Sequence, residues 1–309
     1  MTTVRDEAPG VRAAPIPTWF GVGGGAERFA RPSDSYALAE LVRTEPAGVR
    51  VLGDGANLLV DDEGVTGLVV ALDRLDSIEA LDGATPAGTV RVRAGAGVKL
   101  PKLIGWAVRH GLAGIETIAG IPASMGGAVV MNAGGRFGEI ADVVRSAQCI
   151  DANGDTRELP ASELGFGYRT SAPVGLIVCS VEIELQRVEG RAHDELRARH
   201  RDVLTYKRET QPMGDRCAGC VFKNPLVDTE RVSAGMLIDR AGCKGLEVGG
   251  ARVSDRHANF VLVDPKRAQA AHIIELMRTV RARVAEAHAV VLEPEVVIWS
   301  ERPDPLAPR

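Results

Sequence analysis

"GIETIAGIPASMGGAVVMNAGG", residues 114–135, is a run of 22 residues with a single charged side chain, Glu116. An ordinary surface loop carries more polarity, because its backbone groups must be met by water or polar neighbours. Gly120, Gly126 and Gly127 bracket Ser124 in this run. Lacking Cβ atoms, glycines let a backbone approach a flat partner closely and let its amides turn toward one point. Two readings are open: a cradle for a large flat ligand whose diphosphate faces the amides, or a buried loop and short helix at a domain seam.

Upstream, "VLGDGANLLV", residues 51–60, runs as a strand into Gly53, Asp54, Gly55, Ala56 and Asn57 and regains apolar character at Leu58. The glycines there form either an anion nest or a plain Asp-Gly turn. "GVGGGA", residues 21–26, formally fits the G-x-G-x-x-G/A dinucleotide pattern, but its context fails. The preceding PTWF is too short for a first strand, and Pro32 interrupts any helix soon after the turn. Of 35 glycines, 23 fall in the first 140 residues. A ligand cradle therefore belongs to the N-terminal half, with side-chain chemistry expected from the other half.

A chain of 309 residues suggests about two domains. Hydrophobic content of 45% and charged content of 25% suit a soluble protein with a large core. The net charge of −4 comes from acids and bases mixed along the chain, with no basic stripe to track a nucleic acid. No run approaches the ~18–20 apolar residues that span a bilayer, and residues 1–16 carry acids and prolines, unlike a secretory signal. The five scattered cysteines argue against a disulfide framework and for a reducing compartment. A cytoplasmic α/β or α+β protein is expected, and no obligate protein partner is evident.

Val- and Ile-rich runs predict strands at 50–52, 67–72, 89–93, 146–151, 175–185, 259–263 and 290–299. In residues 100–111, Leu100, Leu103, Ile104, Ala107 and Val108 share a helical face, with Pro101 in the first turn and Gly111 as a stop. A longer helix is expected over 268–287, with Ile273, Ile274, Met277, Val280 and Val284 in register. Residues 191–208 read as a highly charged connector helix.

The ordered set GVGGGAERFARP, VLGDGANLLVDDEG, AGAG, GIETIAGIPASMGGAVVMNAG, GYRTS, GCVFKNP, AGMLIDRAGCKG, GGARVSDRHANFVLV and LEPEV resembles the UDP-N-acetylenolpyruvoylglucosamine reductase family. These flavoenzymes make UDP-N-acetylmuramic acid for peptidoglycan, and the likeness covers roughly residues 17–299. The resemblance implies an α+β fold. An FAD-binding module of the vanillyl-alcohol-oxidase (PCMH) type would occupy 17–190, in two subdomains of about 17–75 and 76–190. A substrate domain would follow over 191–301, with 1–16 as an N-terminal extension. It implies FAD and NADPH as cofactors, no metal, and a nucleotide-sugar substrate. The flavin contacts it carries over are Gly53, Asp54, Gly55, Ala56, Asn57, Leu58, Gly120, Ile121, Ser124, Gly126, Gly127 and Asn132. The chain departs from the family at Ala56, where Ser is frequent, at Ala123 (Gly), at Gly25 (Pro) and at Cys243 (Leu). A hydroxyl lost at Ala56 removes one hydrogen bond, normally about 0.5–1.5 kcal/mol net.

The implied reaction delivers a hydride to the β-carbon of an enolpyruvyl ether and leaves enolate-like charge on the α-carbon and carboxylate. It needs a cation at the carboxylate, a group that damps the enolate, and an acid for the α-carbon. The resemblance assigns Arg169 of "GYRTS" to the first, since a guanidinium grips a carboxylate with two parallel hydrogen bonds. Glu295 of "VVLEPEVVIW" takes the second. Its apolar neighbours suggest a buried strand, where a carboxylate tends to protonate and can donate; Glu293 competes for this role. Tyr168, Arg208, Lys223 and Asn224 are carried over toward the substrate diphosphate.

Cys217 and Cys220 in "CAGCVFKNP", residues 217–225, raise a separate question. A zinc site needs further ligands at suitable spacing, and none is offered: Cys149 and Cys179 lie in strand-like runs, while Cys243 and His257 are isolated. A thioredoxin-type dithiol wants a strand before and a helix after it, whereas MGDR precedes and Pro225 follows. The family carries Ser, its proton donor, where Cys220 stands. A thiol with the ordinary pKa of about 8.5 stays about nine-tenths protonated at pH 7.5, so Cys220 is expected to be the acid and Cys217 a bystander. The competing readings are an FAD-dependent oxidase of the same fold acting on another substrate, and a zinc or binding module built on the two cysteines.

Overall fold

The computed structural model describes residues 11–45, 47–81, 88–171 and 175–307, so residues 1–10 of the expected N-terminal extension lie outside the described residues. The chain forms two compact units. The first takes Arg28–Asp54 and Gly67–Lys207 with the N-terminal residues up to Arg12; the second takes Ala13–Glu27, Gly55–Thr66 and Arg208–Arg309.

In the first unit a largely antiparallel sheet runs in the order Thr156–Pro160, Val144–Ile150, Ile177–Arg187, Thr89–Gly95, Ile78–Leu81, and Leu112–Ala113 also pairs with the end of the long central strand. Along that strand Val181, Ile183 and Leu185 turn inward and are buried, while Glu182 and Glu184 lie on the other face. Strand geometry imposes this alternation. Glu182 and Glu184 stand directly opposite Arg93 and Arg91, a cross-strand pairing of opposite charges that favours this register. Thr156–Pro160 is a mostly exposed edge strand whose polar TRELP sequence gives no strand signal. A second, parallel pairing aligns Val49–Leu52 with residues 68–71 of Val65–Ala71.

Helix Leu100–Arg109 buries the five residues expected of its apolar face, Leu100, Leu103, Ile104, Ala107 and Val108. Gly111 follows at φ +65, a conformation that ends helices at little cost only for glycine. Burial of side chains such as Leu103 and Ile104 stabilises the unit by about 1.5–3 kcal/mol each. Helix Gly190–Thr210 is the expected connector; the division between the units falls within it, after Lys207.

The second unit packs helices Ala234–Arg240 and Ala270–His288 with the strands Glu247–Val248, Ala251–Val253 and Val261–Val263. Ile273, Ile274, Met277, Val280 and Val284 are all buried, as the periodicity predicts. Asp62 accepts from Ala270 N and Ala271 N at 2.8 and 2.9 Å, placing a carboxylate on amides that the helix itself cannot satisfy.

The expected strand at 290–299 is shorter in the structure. Only Val297–Trp299 is a strand, paired in parallel with Leu58–Val60, and Val297 is 41% exposed. Pro294 has no N–H to give a ladder, so the preceding residues make single bridging contacts: Phe222 faces Pro294, and Lys223 N donates to Glu293 O at 2.9 Å.

Glu116, the lone charge of the 114–135 run, is 3% exposed. Its carboxylate accepts from Gly114 N at 2.6 Å and from Arg199 Nε and Nη2 at 3.2 and 3.1 Å. Arg199 is half in water, which screens the ion pair. Glu116→Ala is therefore expected to lower the unfolding free energy by about 1–3 kcal/mol. Urea unfolding checks this; a midpoint equal to wild type would mean that the carboxylate does not anchor the run.

Candidate functional site

The glycine run begins with a cap. Ser124 accepts from Gly127 N and opens the short helix Met125–Val130. Leu100 N donates to Ala123 O at 2.8 Å and Met125 N to Val98 O at 2.7 Å, which ties the run to the turn before helix Leu100–Arg109. A Cβ on Gly97 would lie 2.0 Å from Leu72 O, one on Gly126 2.9 Å from the Ala96 Cβ, and one on Gly53 2.5 Å from Ser124 Oγ. Three backbone segments thus approach more closely than side chains would allow. A cavity of about 200 Å³ opens beside them, lined by Gly53, Asp54, Gly97, Lys99, Lys102 and Ser124 among others. Lys99 Nζ lies 3.1 Å from Asp54 Oδ1, and Lys102 Nζ 3.1 Å from Asp76 Oδ2, so these lining charges pair off.

The donors here are backbone amides. Gly126 N already serves Ala96 O at 2.9 Å, and Gly127 N serves Ser124 Oγ at 3.4 Å, so both glycines act in close packing. Elsewhere the account is incomplete. Among the described residues, no protein acceptor receives the N–H of Gly53, Gly55, Ala56 or Ser124. Gly55 is buried, Ala56 is 7% exposed and Ser124 3%. A buried N–H without a partner costs about 1–3 kcal/mol, so these groups call for an acceptor that the protein does not supply. Gly55 sits at φ +64, and a Cβ there would meet Pro17 O at 2.2 Å.

Gly120 (φ +74) lies against Lys207; a Cβ there would be 3.0 Å from Lys207 Cδ. Ile121 is half-buried, and its N–H donates to Ile118 O. Asn132 is 1% exposed at φ 41; its Nδ2 donates to Gly167 O at 3.0 Å, and its Oδ1 accepts from Ala141 N at 3.3 Å. Gly167 in turn exchanges backbone hydrogen bonds with Thr170 at 3.0 and 3.3 Å. Tyr168 and Arg169 form the tip of this tight turn, with the guanidinium carbon of Arg169 5.2 Å from the Tyr168 ring centre. Arg169 has φ 56, and a left-handed backbone at a non-glycine residue costs about 1–2 kcal/mol. Such strain persists where surrounding structure over-determines it, as at ligand clamps.

In the second unit three extended segments lie side by side. Cys220 bridges Phe260, Val221 N donates to Asn259 O at 2.9 Å, and Glu295 N donates to Val221 O at 2.8 Å. Asn57 Nδ2 donates to Glu295 O at 3.0 Å. Leu58, the next residue, is buried at the start of its strand. Glu295 thus precedes the strand rather than lying within it and is half-buried. Glu293 is exposed and lies 3.7 Å from Lys223 Nζ, which separates the two competing glutamates. Asn224 Oδ1 accepts from Ala234 N at 2.9 Å.

Sequence reasoning missed two residues. Asn259, 2% exposed, clamps the Phe222 backbone, accepting from its N at 3.0 Å and donating to its O at 2.8 Å. Its only sequence signal is an amide between Ala258 and Phe260. Lys207 is 8% exposed while its neighbour Arg208 is exposed; Val203, one turn earlier, is also buried, a helical spacing legible in "VLTYK". Of the other thiols, burial pushes Cys149 up to about 11 and Cys179 up to about 12. Cys243 is fully buried and raised by the same cause. Burial also lowers His257, whose Nδ1 accepts from Asn259 N. No group of metal-ligating residues occurs among the described residues, and no helix there is long and apolar enough to cross a membrane.

Residues 26–160 match the family model of an FAD binding domain, and residues 211–299 match that of the UDP-N-acetylenolpyruvoylglucosamine reductase C-terminal domain. UDP-N-acetylenolpyruvoylglucosamine reductase 2 of Symbiobacterium thermophilum is 39% identical over 97% of this chain and 95% of its own length. The chain belongs to the UDP-N-acetylenolpyruvoylglucosamine reductase family. The Synechococcus sp. RCC307 reductase is 42% identical over 91% of this chain and 90% of its own. The crystal structure of the Thermus caldophilus enzyme matches with a TM-score of 0.77 and 38% identity, over 94% of this chain and all of that one. The fold is accordingly a PCMH-type FAD-binding domain with the reductase's C-terminal domain. The activity is that of an FAD-dependent UDP-N-acetylenolpyruvoylglucosamine reductase in peptidoglycan precursor synthesis, with NADPH as reductant.

The residues present fit FAD. Its diphosphate offers the anionic oxygens that the unmatched amides require, and a backbone stripped of side chains admits a flat ring system. Gly55→Ala is expected to cut retained flavin several-fold, whereas Gly135→Ala, whose Cβ would meet nothing within 4 Å, should retain it. The ratio of visible flavin absorbance to protein after gel filtration measures this; equal ratios in both variants would break the link between the Gly55 turn and the cofactor.

Proposed function

We propose that the flavin diphosphate is held by backbone N–H groups in the stretch Gly53, Asp54, Gly55, Ala56, Asn57 and Leu58 and by that of Ser124, while Gly120, Gly126 and Gly127 give the second segment its close packing. Ile121 and Ser124 would shape that segment, and Asn132 would hold the turn behind it. The FAD-binding domain is assigned to residues 17–190, divided near 75, and the substrate domain to 191–301. The matches at 26–160 and 211–299 fall inside these limits, which supports the assignment. The setting we assign is the cytoplasm and the partner a nucleotide-sugar, with neither nucleic acid nor membrane involved.

Bound FAD supplies the hydride for the β-carbon of the enolpyruvyl ether. The Arg169 guanidinium grips the substrate carboxylate from a turn whose strained backbone fixes its direction. Glu295, in its protonated form, donates to the enolate-like oxygen as charge develops there. Cys220 delivers its thiol proton to the α-carbon. One observation supports the pairing of acid and enolate donor: Glu295 N is bonded to Val221 O at 2.8 Å, which sets the two segments side by side. Tyr168, Arg208, Lys223 and Asn224 serve the substrate diphosphate. The Asn224 Oδ1 contact to Ala234 N orients its NH₂ as the donating group.

Anaerobic half-reactions test this directly. NADPH should bleach the bound flavin, and UDP-N-acetylglucosamine enolpyruvate should restore its colour. Cys220→Ala should leave bleaching intact and slow recovery by about 10²–10⁴-fold, the usual worth of a positioned acid, while Cys220→Ser should recover. Recovery at the wild-type rate in Cys220→Ala would remove the thiol from the mechanism.

A further inference from the structure

Cys217 has no part in the proton delivery assigned to Cys220, yet it is placed with care. It is 9% exposed, whereas Cys220 is more open. The chain bends at Gly219, between Cys217 and Cys220. That bend needs Gly219, which sits at φ +73 with nothing within 4 Å of its missing Cβ. Only two residues separate the cysteines, and a disulfide closes once their Cα atoms come within about 6.8 Å. The remaining thiols are shielded: Cys149, Cys179 and Cys243 are at most 3% exposed.

We propose that Cys217 and Cys220 form an oxidisable pair, in which a hydroperoxide converts the two thiols to a disulfide and removes the proton donor of the reductase. The loss of activity rests on the reading of Cys220 above; formation of the bond does not. In the first step the Cys220 sulfur, as thiolate, attacks the terminal oxygen of the hydroperoxide. An S–O bond forms, the O–O bond breaks, and the alcohol or hydroxide leaves. In the second, the Cys217 sulfur attacks the sulfenic sulfur, the S–S bond forms, the S–O bond breaks, and water departs. Two thiols are oxidised and one hydroperoxide is reduced. Burial of the Cys217 thiol raises its pKa, so the second step accelerates as pH rises toward that value. Serine at position 220 could not enter this chemistry.

The test treats the FAD-loaded enzyme with hydrogen peroxide, maps thiols by mass spectrometry, and runs both half-reactions before and after dithiothreitol. One peptide that holds both cysteines, lighter by two hydrogens and closed to alkylation, with NADPH bleaching preserved, acceptor-driven recovery lost, and dithiothreitol restoring it, is the expected result. Cys217→Ser, with normal turnover before treatment, should yield no such internal bond and should progress to a sulfinic acid at Cys220 that dithiothreitol does not reverse. Wild-type enzyme that gives the sulfinic acid at Cys220 without the internal disulfide overturns the pair. An internal disulfide with undiminished recovery supports the pair and instead overturns the proton-donor reading of Cys220.

Discussion

Close packing where no Cβ can stand is the constraint on which the proposed cofactor site depends. Gly53, Gly97 and Gly126 each bring their chain segment against another at distances a methyl group would forbid. The cost is conformational: glycine loses more freedom on folding than any other residue. What is gained is a set of main-chain donors in fixed positions, several of them buried without a protein acceptor. A fold stabilised only for itself would have satisfied these groups internally. On the binding mode proposed above, flavin supplies their acceptor, and a ligand that binds the native state alone stabilises it by mass action. The Ala that stands at 56, where the family frequently has Ser, is tolerable for the same reason: a donor that belongs to the backbone survives a change of side chain.

The substrate chemistry proposed for Cys220, Glu295 and Arg169 rests differently, on side chains held by their own backbones. Asn259 fastens both the N–H and the C=O of Phe222, and Val221 is bonded to Asn259 on one side and Glu295 on the other. Cys220 and Glu295 therefore inherit their positions from a small extended array whose members come from distant parts of the chain. Arg169 follows the same logic in the first unit, its turn closed by Gly167 and Thr170 and buttressed by the buried Asn132. A turn residue held at positive φ is expensive to keep unless its side chain must point one way.

Much of the framework was legible in the chain. Period-3.6 spacing named every buried residue of helix Leu100–Arg109 and five of the buried residues of Ala270–His288, because a helix that must bury one stripe repeats it regularly. Legibility failed where non-local partners decided the outcome. Residues 290–296 carry strand-like composition, but Pro294 and the absence of a continuous neighbouring ladder leave them as single bridges. Glu116 read as an incidental charge in an apolar run, and only Arg199, 83 positions away, explains why it is buried. Asn259 is silent in sequence because an amide that serves a backbone looks like any other amide.

The connector helix shows how phase, rather than residue type, assigns a cation. Lys207 and Arg208 are adjacent and chemically similar, so composition cannot choose between them. A helix advances 100° per residue, and with Val203 buried the position four later must face the same way. Lys207 accordingly lies against Gly120, with its hydrocarbon stem 3.0 Å from where a Cβ would be, while Arg208 turns outward. Burying an ammonium demands compensation nearby, and a long apolar stem lets the charge reach beyond the surface that the stem covers. Gly120 is then required twice, for its left-handed backbone and for the room it leaves to that stem. Lys207 thus packs against the glycine-rich run at Gly120, and Arg208 is left on the side of the helix that faces solvent.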